Sequence, residues 1–166
     1  MHDEVAAPSE SNEPPMTDIS AISDLAEWTP WLPLTTETVN HAPTTAGVYL
    51  VKDATTLLYV GSAGERSGKG LQGRLRKYTS GNAPHSGLGY HALERALNDP
   101  AWLRARLDDL EAGHLQEVRA WSRLSLTQPA NLDVSWATAA TEAQARILEH
   151  DALARLRGLS LWNRRY

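Results

Sequence analysis

Two phenols and a guanidinium stand at spacings that a β-hairpin and its following helix would bring together. Tyr49 closes Gly47-Val48-Tyr49, Tyr59 opens Tyr59-Val60-Gly61, and Arg74 lies in a basic run. A phenol donates, accepts or shuttles a proton, and a guanidinium pairs with phosphate oxygens. Five of the chain's sixteen Lys and Arg residues, Arg66, Lys69, Arg74, Arg76 and Lys77, fall within twelve positions, a clustering that suits a phosphate backbone. The loop Ser62 to Gly70 is rich in glycine and lets backbone approach such a ligand closely. Far along the chain, Glu149 has Ala152, Leu153 and Leu156 at i+3, i+4 and i+7, which sets this carboxylate beside an apolar stripe. A partly buried carboxylate needs a partner, and a metal ion or a buried arginine both serve.

The elements that must position these groups follow from local pattern. Gly47–Val51 and Leu57–Gly61 are short β-prone runs around the polar residues 52–56, so they predict antiparallel strands. A symmetric register over that loop sets Tyr49 opposite Tyr59, with both phenols on one sheet face. Leu71, Leu75 and Tyr78 fall at helical spacing, and Arg74 shares their side and is expected to point inward. His91 to Asn98 and Trp102 to Trp121 read as helices separated by Pro100. The second carries Trp102, Leu103, Leu107, Leu110, Leu115 and Val118 for packing on the sheet or on a partner. Asn131 to Ala137 alternates Leu132, Val134 and Trp136 with polar positions, as a strand with one buried face does. A final helix begins after Thr141, with Glu142 in its first turn near the positive end of the dipole, and Gly158 supplies its stop. The expected class is α/β (α+β): a small three-stranded sheet flanked by helices.

The paired motifs Gly47-Val48-Tyr49 and Tyr59-Val60-Gly61, within Pro43 to Asp53 and Leu58 to Ser62, resemble the GIY-YIG nuclease superfamily, and most closely the incision module of UvrC-type excision-repair nucleases. The resemblance implies a metal-dependent endonuclease hydrolysing DNA phosphodiester bonds. Tyr49 would orient or deprotonate the attacking water, helped by Arg74, whose charge would favour phenolate and stabilise the phosphate; Tyr59 would assist. Glu149 would hold Mg²⁺ or Mn²⁺, and Asn163 would tie down the wall of the site. Gly47, Gly61 and Tyr78 are implied as supporting residues, and Arg66, Lys69, Arg76 and Lys77 as contacts to DNA. Two departures stand out: Tyr78 occupies a position where several members place histidine, and Ser62 one where UvrC-type proteins often carry lysine. A catalytically inactive nucleic-acid-binding module of the same fold and a helical protein-interaction domain stay open as alternatives.

Composition bounds the rest. The 166 residues suffice for one core. Residues 1–27 hold seven acidic side chains and no Lys or Arg, and are expected to form a disordered acidic tail; they supply −7 of a formal charge whose total is −4, leaving +3 for residues 28–166. The nuclease-like domain is thus expected over 28–166, with a helical insertion at about 80–127 that exceeds the minimal family core. The absence of cysteine excludes disulfides and thiol catalysis. The six histidines lack ligand spacing, and no apolar run is long enough to cross a bilayer, so a cytoplasmic protein without a membrane partner is expected. It would act alone, as a homo-oligomer, or through a delivery partner.

Overall fold

The computed structural model describes residues 19–65, 69–115, 117–129 and 131–163. In chain order these form β1 (Leu32–Pro33), α1 (Thr36–Asn40), β2 (Gly47–Asp53), β3 (Thr56–Ala63), α2 (Gly70–Thr79), α3 (Gly87–Leu97), α4 (Pro100–Glu111), α5 (Val118–Leu124), β4 (Leu132–Thr138) and α6 (Glu142–Arg155). The class is α+β, and every strand pair is antiparallel, in the order β1-β4-β2-β3. The sheet therefore has four strands, not the expected three. The additional one, β1, is a two-residue pairing of Leu32 and Pro33 with Val134 and Asp133, too short to leave a period-two signal.

Alternation along β2 divides the core. Tyr49 and Val51 join Leu132, Val134 and Trp136 of β4 on one face, against Leu71, Leu75 and Tyr78 of α2 and Leu88 and Ala92 of α3. Val48 and Leu50 point to the other face, where Ala145, Ala152 and Leu156 pack from α6 and the chain just after it. The hairpin departs from the symmetric register: Tyr49 opposes Gly61, and Leu50 opposes Val60. Pairing runs on to Asp53 and Thr56 with only Ala54 and Thr55 between them, so the loop is shorter than residues 52–56. A β-bulge absorbs the difference. Val51 faces Tyr59 whereas Lys52 faces Leu57, so Leu58 is the extra residue, and Leu58 and Tyr59 both reach the α2 face. The shift is an even number of positions, so Tyr49 and Tyr59 still share a face.

Two further expectations are corrected. The helix expected from Trp102 to Trp121 is two helices, because Gly113 adopts φ +83 after α4 and gives it a left-handed exit. The start of α4 follows the sequence signal, with Pro100 in its first turn and the Asp99 side chain accepting from the Trp102 amide at 2.8 Å. The expected tail is also too long at 1–27: Ile22 is fully buried in the α6-side core, and Ile19 and Leu25 pack against it. Trp28 Nε1 donates to the Ile22 carbonyl at 3.0 Å, and Arg155 of α6 pairs with Asp24. Acidic composition concealed these anchors. Residues 1–18 lie outside the described residues.

Candidate active site

The hairpin and α2 bring three phenols together with Arg74. Tyr49 and Tyr78 are fully buried or nearly so, and their hydroxyls share a hydrogen bond of 2.7 Å. The Tyr59 ring centroid lies 6.1 Å from that of Tyr49, as does that of Tyr78. Arg74 does point inward: its Nε donates to the Tyr49 hydroxyl at 3.4 Å, and its guanidinium carbon stands 5.5 Å from the Tyr78 ring centre. This approach depends on Gly61, opposite Tyr49. A Cβ there would lie 2.5 Å from the Tyr49 hydroxyl oxygen and 2.8 Å from the Tyr59 ring. Gly47 similarly leaves room for Leu71 and the Ala137 carbonyl, holding the foot of α2 against the sheet.

Burial decides the protonation of Tyr49. Desolvation pushes its pKa well above the ordinary phenol value, Tyr78 and Tyr59 push it the same way, and the opposing Arg74 is outweighed. Arg74 does favour the phenolate, in the expected direction, but burial outweighs it and the resting side chain is neutral. Burial pushes the Arg74 pKa down, but the neighbouring Tyr49 and Tyr78 more than offset it, and the guanidinium stays charged.

Glu149 lies on the other side of the sheet. Consecutive residues of β3 alternate, so Gly61 faces the phenols whereas Ser62 faces α6, and the Ser62 hydroxyl donates to Glu149 Oε2 at 2.5 Å. The phenols and this carboxylate accordingly meet across the edge strand and do not line one pocket. Their bridge is a cleft of about 510 Å³ at the exit of β3, lined by Ser62, Ala63 and Gly64, by Lys69, Gly70, Gly73, Arg74 and Lys77 of the α2 region, and by Glu142. Arg74 thus touches the cleft with one side and Tyr49 with the other. Glu149 reaches it through Ser62.

The other predicted residues separate clearly. Lys69 and Lys77 line the cleft, whereas Arg76 is exposed on another face of α2 and donates to Asn40 Oδ1 at 3.2 Å. Arg66 lies outside the described residues. Asn163 braces the free edge of β3: its Oδ1 accepts from the Val60 amide at 3.0 Å and its Nδ2 donates to the Val60 carbonyl at 2.6 Å. Glu142 lies in the first turn of α6 as expected, and it also overlies Gly64 and forms one wall of the cleft while pairing with Arg146 at 2.6 Å. Sequence reasoning missed Ser62 as the partner of Glu149. The signal was present in its parity, one residue past Gly61 and hence on the opposite face.

Neither a buried arginine nor any other cation neutralises Glu149 among the described residues, where Ser62 is its recorded partner. A half-buried carboxylate beside a hydroxyl is a hard, all-oxygen donor set of the kind that suits Mg²⁺ or Mn²⁺. No group of three His, Cys, Asp or Glu converges among the described residues, so an ion there would draw most of its ligands from water and phosphate. Comparison of the chain with protein-family models, curated proteins and solved structures returns no match.

Proposed function

We propose that this chain is a metal-dependent endonuclease of the GIY-YIG type, hydrolysing phosphodiester bonds of DNA in the cleft between the exit of β3 and α2. The observation that carries this reading is the position of Arg74, which contacts the buried Tyr49–Tyr78 pair on one side and a cleft containing Lys69 and Lys77 on the other. A phosphate entering there meets three cations, and the terminal nitrogens of Arg74 donate to its oxygens while Nε stays on Tyr49. The Tyr49 hydroxyl, neutral and bonded to Tyr78, fixes the guanidinium plane. In the resting protein it positions Arg74 and does not remove a proton from water.

Glu149, oriented by Ser62, would hold a divalent ion at the edge of the cleft. Such an ion supplies positive charge at the phosphate and acidifies water. Glu142 limits the cleft on the α6 side, and its negative charge favours a phosphate seated toward Lys69 and Lys77. Complete burial of Tyr49 supports a second reading, a module that binds DNA without cutting it.

Plasmid nicking with Mg²⁺ or Mn²⁺ separates the two. The expected result is nicking by the wild-type chain that is lost in Glu149→Gln and Tyr49→Phe, with DNA binding retained in both. Equal nicking in all three preparations overturns the assignment. Binding without wild-type nicking on duplex, nicked and branched substrates establishes the silent module.

A further inference from the structure

Helix α4 turns one stripe toward the protein and leaves its neighbouring stripe bare. Trp102 is buried, Arg106 lies 5.1 Å from its ring centre, and Arg106 Nε donates to Asp109 at 3.0 Å, so the 102/106/109 line is the packed side. The adjoining line is Leu103, Leu107 and Leu110, exposed by 42, 53 and 38%, and further along the chain Leu115 at 88% and Val118 at 63% are exposed as well. Half of the ten large exposed hydrophobic residues among those described thus fall between positions 103 and 118. Scattered exposed leucines need no explanation, but a stripe at helical spacing does.

The charges beside it indicate what covers it. Arg104 and Glu111 are seven residues apart on the same edge of the leucine stripe, both exposed, and neither makes a recorded ion pair among the described residues. The last turn of α4 is acidic, with Asp108, Asp109 and Glu111 and no basic residue, which opposes the helix dipole. Along the helix both arginines, Arg104 and Arg106, precede the three acids at 108, 109 and 111, and the complement of this order is its own sequence run in reverse. A second α4 lying antiparallel across the first sets leucine stripe on leucine stripe and Arg104 against the partner copy's Glu111, twice by the two-fold axis. An anionic lipid surface would meet three acids at this end, which disfavours it.

We propose that the exposed face of α4 is the seam of a two-fold homodimer, with reciprocal Arg104–Glu111 pairs flanking a core of Leu103, Leu107 and Leu110. Sedimentation velocity over a concentration series tests it. The wild-type chain is expected to form a dimer, and Leu107→Asp to remain monomeric with unchanged circular dichroism, since residue 107 is half exposed. Arg104→Glu and Glu111→Arg should each raise the dimer dissociation constant about tenfold, and the double reversal should restore it. A wild-type monomer at every concentration, a dimer that survives Leu107→Asp, or a double reversal as weak as its parents overturns the proposal.

Discussion

Removing the Tyr49 hydroxyl tests the buried phenol pair most directly. In Tyr49→Phe the ring still fills its site, but the hydroxyl of Tyr78, a residue only 1% exposed, loses the partner it had at 2.7 Å. Leaving a buried hydroxyl unsatisfied costs ~1–3 kcal/mol. Arg74 also loses its 3.4 Å contact, but it is only partly buried and water compensates, so this adds well under ~1 kcal/mol. The expected loss is about 2 kcal/mol, or roughly 4–8 °C in Tm for a chain of this size. Tyr78→Phe should cost roughly the same or slightly less, because Tyr49 keeps Arg74 as a donor. The double variant has no orphaned hydroxyl, so its cost should fall short of the sum of the singles by at least ~1 kcal/mol. Urea denaturation of all four proteins measures this. Single-variant losses that add to within ~0.5 kcal/mol in the double would mean the hydroxyls are not energetically paired.

Three other outcomes follow from the same geometry. Gly61→Ala forces a Cβ to 2.5 Å from the Tyr49 oxygen inside a packed core, so thermal melts should show a loss of about 1–3 kcal/mol, and an unchanged Tm contradicts the contact. Because burial raises the folded-state pKa of Tyr49, the stability linked to its proton is complete below the unfolded phenol value of about 10 and is lost as pH rises from there through the folded value. Urea midpoints measured above pH ~10 should therefore fall less steeply in Tyr49→Phe; parallel profiles would show that Tyr49 titrates normally. If the cleft binds DNA, Lys69→Ala and Lys77→Ala should each reduce the slope of log affinity against log salt by about 0.9, whereas Arg76→Ala, facing Asn40, leaves it nearly unchanged.

The β-prone runs at 47–51 and 57–61 and the period-two alternation at 132–136 specified the strands, and the i, i+3, i+4 pattern of Leu71, Arg74, Leu75 and Tyr78 specified a helix with an inward arginine. These properties are local: backbone periodicity alone determines which side chains share a side. Tertiary structure decided what local pattern leaves open. The bulge at Leu58 set the register, and the pairing of 32–33 with β4 added a strand. The packing of 19–25 against α6 overrode an acidic composition, since one fully buried isoleucine and a tryptophan hydrogen bond outweigh the average of a segment. Whether Tyr49 is charged also depended on the fold. Its distance from Arg74 follows from helix and hairpin geometry, but desolvation comes from every element closing over the ring, and only the assembled core determines which effect prevails. The same dependence put Glu149 across the edge strand from the phenols, through the parity of residues 61 and 62.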